Sequence, residues 1–117
     1  MKIDHLGIAV KSLAAAKAIY EKLGLSVSSE ETESRLELLQ PTSENSTIAK
    51  FIAKRGEGLH HVSLRVPDLR AAVERLKNDG VRLVSEDIKV GAEGHRYVFV
   101  HPSSAAGVLL ELVEAAG

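Results

Sequence analysis

Two histidines and two glutamates occupy equivalent places in a repeated sequence. The segment around His5 recurs 56 positions later around His61, and each repeat ends in a carboxylate within an apolar run, Glu37 in the first and Glu111 in the second. Neutral imidazoles with carboxylates form a suitable ligand set for a divalent first-row metal ion such as Mn, Co, Ni, Zn or Fe. We therefore predict one metal site to which both halves of the chain contribute.

Such a site would be catalytic, because four protein ligands on an octahedral ion leave two positions for water or a bidentate substrate. Arg35 and Arg65 lie on the strand faces of the predicted ligands and could bind a substrate carboxylate or phosphate, or could equally be solvated or paired with the glutamates. His60 falls on the core-facing side of its strand, and we interpret it as a structural residue. His101 precedes a proline and is expected to end a strand and order a loop, although its position on the strand could also direct it to the cavity.

The first repeat has the pattern of a strand, a helix and two further strands. Residues 3–10 alternate, with His5 facing a cavity and the aliphatic residues facing a core. Ser12 can cap a helix that runs to about Leu23. Strands are predicted at Leu25–Ser29 and Arg35–Gln40. A short helix capped by Ser46 then joins the repeats.

The second repeat has one strand more. A helix starts after Pro67-Asp68, and strands are predicted at Val81–Val84, Tyr97–Val100 and Val108–Val113, with residues 86–94 as a loop. Alternation along Tyr97–Val100 predicts that Val98 and Val100 point inward. We predict a single α+β domain over residues 1–117, with module one at 1–45, a connecting helix at 46–55 and module two at 58–117.

The two repeats differ in the spacing of their predicted ligands. His61 and Glu111 are 50 positions apart, whereas His5 and Glu37 are 32 apart, so the first copy is 18 residues shorter. That difference is about one strand with its turns. Either a strand has been removed near Thr32 and Glu33, or residues there are missing from the sequence.

Composition narrows the classes of function. The 117 residues are 44% apolar and 26% charged, as in an ordinary globular domain. A formal charge of -1 and 3% aromatic residues predict neither nucleic acid nor an anionic membrane as partner. The absence of cysteine excludes disulfides and thiolate metal sites. No segment has the pattern of a membrane helix or a signal peptide, so we expect a cytoplasmic protein.

The sequence resembles the methylmalonyl-CoA epimerases of the vicinal oxygen chelate superfamily over nearly its whole length. The Gly-Leu-His-His run, followed by His-Pro and a terminal Leu-Glu-Leu, is specific to that branch. The matching segments are Ile3–Val10, Leu36–Pro41, Ile48–Phe51, Arg55–His61, His101-Pro102 and Gly107–Leu112. Family members carry a further strand near the position of Thr32, which lines the active-site cup, and commonly a lysine in the loop that is Ser103–Ala106 here.

The resemblance implies tandem βαβββ modules in a cup-shaped mixed sheet, with the first module one strand short. It implies a divalent ion (Co, Mn, Ni or Zn) held by His5, Glu37, His61 and Glu111, and usually a homodimer. The implied reaction is epimerisation of methylmalonyl-CoA at C2 through an enolate, with Glu37 and Glu111 as candidates for proton transfer. Because the missing strand lines the cup, we expect metal binding to survive its loss better than turnover.

Other functions fit parts of the pattern. A glyoxalase-type isomerase of the same superfamily uses similar ligands, and a ring-cleaving dioxygenase needs iron with two histidines and one carboxylate. A non-catalytic binding protein has no need of a metal, and a structural protein without a site would not change its thermal stability when a chelator is added.

Overall fold

The computed structural model describes residues 2–24, 35–85, 87–91 and 94–114. Three α-helices and six strands lie within these ranges. In chain order they are β1 (Lys2–Ala9), α1 (Leu13–Lys22), β2 (Arg35–Leu39), α2 (Thr47–Arg55), β3 (Gly58–Arg65), α3 (Leu69–Asn78), β4 (Lys89–Val90), β5 (Arg96–Val100) and β6 (Leu110–Glu114), with a short 3-10 helix at Pro102–Ser104 between the last two strands.

These strands form one sheet in the order β2-β1-β3-β6-β5-β4. β3 pairs in parallel with β6, whereas β5 is antiparallel to both β4 and β6. The prediction of an α+β fold with a mixed sheet is therefore confirmed. The sheet order makes β6, the last strand of the chain, a direct neighbour of β3.

By its contacts the chain divides into two compact units. One comprises Met1–His5 and His61–Gly117, and the other comprises Leu6–His60. The first unit therefore contains α3, β4, β5 and β6 with the beginning of β1 and most of β3. The second contains α1, β2 and α2. The modules predicted at 1–45, 46–55 and 58–117 stay a prediction.

All three helices begin at the capping residues that the sequence predicts. The side chains of Ser12, Ser46 and Asp68 each accept a hydrogen bond from the backbone N–H three residues further on. Each bond satisfies one of the amide groups that a helix start leaves without an intrahelical partner. α2 ends at Gly56, whose φ of 77° is readily adopted by glycine.

The core of the first unit lies between α3 and the sheet. Val98 and Val100 of β5 are both 2% exposed, which confirms that these alternate residues point inward. They pack with Leu69 and Val73 of α3 and with Leu112 of β6. Burying an aliphatic side chain of this size contributes about 1.5–3 kcal/mol, so this contact holds the second repeat together.

The predicted strand at Val81–Val84 is wrong as a continuous element. Only Leu83 forms a bridge, opposite Val100. The ladder stays short because the backbone N–H of Arg82 donates to the Ser104 side chain at 2.9 Å instead of to a strand. The strand that continues this edge is β4, which lies in the segment predicted to be a loop.

Two of the sequence predictions fall outside the described residues. These are the strand at Leu25–Ser29 and the junction of Thr32 with Glu33.

Of the helices in the described ranges, none combines the length and apolarity needed to span a bilayer.

The loop before β6 contains a strained position that provides a stability test. Ala106 has a φ of 55°, a left-handed conformation that costs an L-residue roughly 1–2 kcal/mol. We expect Ala106→Gly to raise the free energy of unfolding by about 0.5–1 kcal/mol in urea denaturation, because relief of strain exceeds the added chain entropy. Ala105 is the control: its φ is -129°, and Ala105→Gly should destabilise. Equal losses in both variants would contradict the expectation.

Candidate metal centre

Three of the four predicted ligands converge within the first unit. The Nε2 atom of His5 lies 3.0 Å from Nε2 of His61 and 3.5 Å from Oε1 of Glu111. Ligand atoms of all three residues lie within 4.8 Å of one another. His5 and His61 are buried and Glu111 is half-buried, so the group is partly shielded from water.

The sheet register explains part of this convergence. Ser63 of β3 is the partner of Glu111 in the parallel ladder, and His61 stands two residues earlier on the same face of β3. Phe99 of β5 is the partner of Glu111 on the other side of β6. Residues that are far apart in sequence thereby reach one face of the sheet.

The donor atoms fit a divalent ion. Metal–nitrogen bonds of about 2.1 Å place two neighbouring ligands roughly 3.0 Å apart on an octahedron and roughly 3.4 Å apart on a tetrahedron. The separations of 3.0 and 3.5 Å within the group are of the size expected for atoms that share one ion. Two imidazoles and a carboxylate are also the donor types that first-row divalent metals accept.

Asp4 forms a hydrogen bond with the ring nitrogen of His5 that does not face the other ligands. No role was predicted for Asp4 from the sequence. Its Oδ2 is 2.7 Å from Nδ1 of His5, and its Oδ1 accepts hydrogen bonds from Nε of Arg65, at 3.0 Å, and from Nη2 of the same guanidinium. The Asp4 side chain is 4% exposed. A sequence signal existed, because an acidic residue on the core-facing side of a strand requires a partner.

Aromatic rings lie next to His61, and sequence reasoning assigned them no role. The rings of His61 and Phe99 meet edge to face with centroids 6.2 Å apart, and Tyr97 meets Phe99 in the same way at 5.8 Å. The alternation that turns Val98 inward also turns Tyr97 and Phe99 to the opposite face, so the pattern could have identified them.

Ser63 has a buried hydroxyl group for which the described residues provide no hydrogen-bond partner. The residue is 0% exposed. Because an unpaired buried hydroxyl is costly, we expect Ser63→Ala to raise the free energy of unfolding of the metal-free protein by roughly 1 kcal/mol. Ser46→Ala is the matched control and should lower it by about 1 kcal/mol through loss of a helix cap. Thermal or urea unfolding measures both, and a large loss in Ser63→Ala would refute the expectation.

Two predicted site residues lie in the second unit. Arg35 and Glu37 both belong to β2, and Nη2 of Arg35 lies 3.4 Å from Oε2 of Glu37. Both side chains are partly exposed, at 28% and 37%. The sequence alternative in which an arginine pairs with a glutamate is thus realised here. The role of Glu37 as a fourth ligand stays a prediction.

The two remaining histidines of interest make structural contacts. The ring of His60 meets Phe51 of α2 edge to face at 4.9 Å, and burial lowers the pKa of His60. Nδ1 of His101 accepts a hydrogen bond from the backbone N–H of Ser103 at 3.0 Å and caps the 3-10 helix. This contact is the loop-ordering role expected of His101.

Known proteins of one family resemble this chain in sequence and structure. A family model for the Glyoxalase/Bleomycin resistance protein/Dioxygenase superfamily matches residues 26–99. The mitochondrial methylmalonyl-CoA epimerase of Homo sapiens is 35% identical over 130 aligned positions, which cover 97% of this chain and 74% of that protein. A crystal structure of methylmalonyl-CoA epimerase from Mycobacterium tuberculosis has a TM-score of 0.88 at 38% identity, covering 99% of this chain and 89% of that one. A methylmalonyl-CoA epimerase in complex with methylmalonyl-CoA and NH4+ has a TM-score of 0.81 at 34% identity, with coverages of 99% and 95%.

The alignment with the human protein is longer than the chain itself. Its 130 positions against 117 residues mean that the human protein has residues at 13 or more positions where this chain has none. The direction of this difference agrees with the shortening inferred from the repeat. The family match and the sequence identities show that the chain belongs to the glyoxalase/bleomycin resistance protein/dioxygenase superfamily, also called the vicinal oxygen chelate superfamily.

Proposed function

We propose that the protein is a metal-dependent methylmalonyl-CoA epimerase that inverts the configuration at C2. The observation that carries the proposal is the convergence of His5, His61 and Glu111 in a chain whose relatives include methylmalonyl-CoA epimerases. An acyl-CoA thioester is therefore the proposed substrate, and the reaction class is racemisation or epimerisation.

The proposed ligands are His5, His61 and Glu111, with Glu37 as the fourth. When bound, a divalent ion (Co, Mn, Ni or Zn) would stabilise the negative charge that develops on the substrate when its C2 proton is removed. The imidazoles serve as neutral donors, so Glu111 supplies the negative charge within the observed group.

Inversion at C2 requires a proton to leave one face of the carbon and another to arrive on the opposite face. Two groups, or one group and water, must carry these protons. We assign one transfer to the Glu111 carboxylate, which is half-buried beside two imidazoles, and propose Glu37 for the other.

The two arginines are proposed to bind the acidic groups of the substrate. Arg35 is partly exposed beside Glu37, and the Arg65 side chain is 38% exposed. An arginine has five N–H donors and can bind a carboxylate or phosphate while it contacts a protein carboxylate. We further propose a homodimer, which the family resemblance implies, and keep the cytoplasm as the proposed location.

The decisive experiment follows the C2 proton. Purified protein loaded with Co²⁺ is incubated with methylmalonyl-CoA in deuterated water, and incorporation of deuterium at C2 is measured together with metal stoichiometry. We expect one bound ion per chain and catalysed exchange. Bound metal without exchange would reject the epimerase function and would fit a fold that has lost turnover with the shortened first module.

One observation favours a second candidate. Two histidines and one carboxylate form the ligand set of non-haem iron dioxygenases. Oxygen consumption by the iron-loaded protein with a catechol would support this reaction class, whereas exchange at C2 without oxygen supports the epimerase.

A further inference from the structure

The Asp4 carboxylate connects a predicted metal ligand to a cation. Its two oxygens have different partners: Oδ2 faces Nδ1 of His5 at 2.7 Å, and Oδ1 receives Nε and Nη2 of Arg65. All three residues belong to the first unit. The Asp4 side chain is 4% exposed and the His5 side chain 9%, so the His5–Asp4 hydrogen bond is shielded from competition by water.

This hydrogen bond determines which nitrogen of His5 carries hydrogen. An ionised carboxylate can only accept, so Nδ1 of His5 must donate, and Nε2 of the neutral ring keeps its lone pair. Nε2 is the atom that lies 3.0 Å from Nε2 of His61 and 3.5 Å from Glu111. The contact therefore presents to the metal group the nitrogen that can act as a ligand.

Arg65 performs two tasks for Asp4. A buried carboxylate is costly unless it is paired and hydrogen-bonded, and the guanidinium provides both kinds of compensation. By placing two N–H groups on Oδ1, Arg65 also leaves Oδ2 directed at His5. The orientation of the His5 ring thus depends on a residue of β3, four positions after His61.

We propose that Asp4 is a positioning residue that sets the tautomer of His5 for metal binding, and that Arg65 holds Asp4 in place. This inference rests on the proposed metal site. It assigns Arg65 a task that does not involve substrate, and it predicts that metal affinity depends on two residues that need not touch the metal.

Asp4→Asn tests the proposal with little change in shape. Arg65 can only donate, so the amide oxygen should turn to Arg65 and the amide NH2 to His5, which forces hydrogen onto Nε2 of His5. We expect the affinity for Co²⁺, measured by titration without substrate, to fall about 10- to 100-fold. Long-range ¹H–¹⁵N NMR of the metal-free protein at about pH 8, above the ordinary histidine pKa, should show His5 switching from the Nδ1–H to the Nε2–H form.

The matched control is Asp68→Asn, the same substitution at the N-cap of α3. Asparagine caps as well as aspartate, so stability, tautomer and Co²⁺ affinity should stay as in the unaltered protein. Arg65→Gln distinguishes the two roles proposed for Arg65, which are holding Asp4 and binding substrate. A weaker affinity for Co²⁺ without substrate would support the role of Arg65 in holding Asp4. Unchanged Co²⁺ affinity with a raised KM would show that Arg65 binds substrate instead, and would overturn its proposed role in holding Asp4.

The NMR measurement keeps the proposal open to refutation even if Asp4→Asn does not fold. An Nε2–H tautomer of His5 in the unaltered metal-free protein would overturn it directly. So would Asp4→Asn with unchanged tautomer and unchanged Co²⁺ affinity. These results are independent of the epimerase assay, because neither measurement contains substrate.

Discussion

Removing divalent metal with a chelator should lower the rate of C2 proton exchange about 1,000-fold or more. Polarisation of a substrate oxygen by a metal ion is worth several kcal/mol in the transition state, and each 1.4 kcal/mol corresponds to a factor of ten. The convergence of His5, His61 and Glu111 provides the donor atoms for that ion. The measurement is deuterium incorporation at C2 before chelation, after chelation and after Co²⁺, Mn²⁺, Ni²⁺ or Zn²⁺ is restored.

Thermal unfolding provides a second readout of the same treatment. A ligand that binds only the folded state at 100 times its Kd stabilises by about 2.7 kcal/mol, so the chelated protein should unfold at a lower temperature. A variant with His61→Ala should show no such difference between chelated and metal-loaded samples. Full exchange activity after complete removal of metal would contradict the proposed mechanism.

Glu111→Gln should lower kcat for epimerisation by about 10²–10⁴-fold, the range contributed by a positioned acid or base. Glutamine has the shape of glutamate but neither its negative charge nor its basicity. It should therefore weaken metal binding as well as proton transfer. The rate is compared at saturating Co²⁺, so that the loss of proton transfer is measured apart from the loss of metal.

The control for this variant lies on the same strand. Glu114 accepts a hydrogen bond from the backbone N–H of Leu69 at Oε1 and pairs with Arg96 at 2.8 Å through Oε2. The single oxygen of Gln can keep the bond to Leu69, and loss of the pair with the half-exposed Arg96 should cost about 1 kcal/mol of stability or less. Glu114→Gln should leave kcat within about twofold of the unaltered value, as expected for a residue outside the reacting group. Normal turnover by metal-loaded Glu111→Gln would assign the proton transfer to another group, with Glu37 as the next to be tested.

The shortening of the first repeat should affect the rate of C2 proton exchange more than it affects metal binding. The human relative has residues at positions where this chain has none, and the repeat locates the shortage before β2. The metal group of His5, His61 and Glu111 does not include any residue from that segment. Metal affinity should therefore be less affected than the exchange rate, as expected from the family resemblance, in which the missing strand lines the active-site cup.

The sequence by itself determined the helix starts, the direction of the side chains along one strand and the pairing of two histidines. Helix starts at Ser12, Ser46 and Asp68 were predicted because capping depends on neighbours within three residues. The inward direction of Val98 and Val100 followed from alternation along one strand. The repeat identified His5 and His61 as a pair because equivalent positions of duplicated modules play equivalent roles.

Only the tertiary structure decided which groups meet. Alternation assigns a side chain to a face but does not give a distance across strands, so the 3.0 Å approach of the two Nε2 atoms depends on the packed sheet. Asp4 and Arg65 were 61 positions apart and had no sequence pattern in common, yet burial of the carboxylate required this cation. The broken ladder near Leu83 likewise depended on a side chain from another loop, Ser104, which no local pattern could reveal.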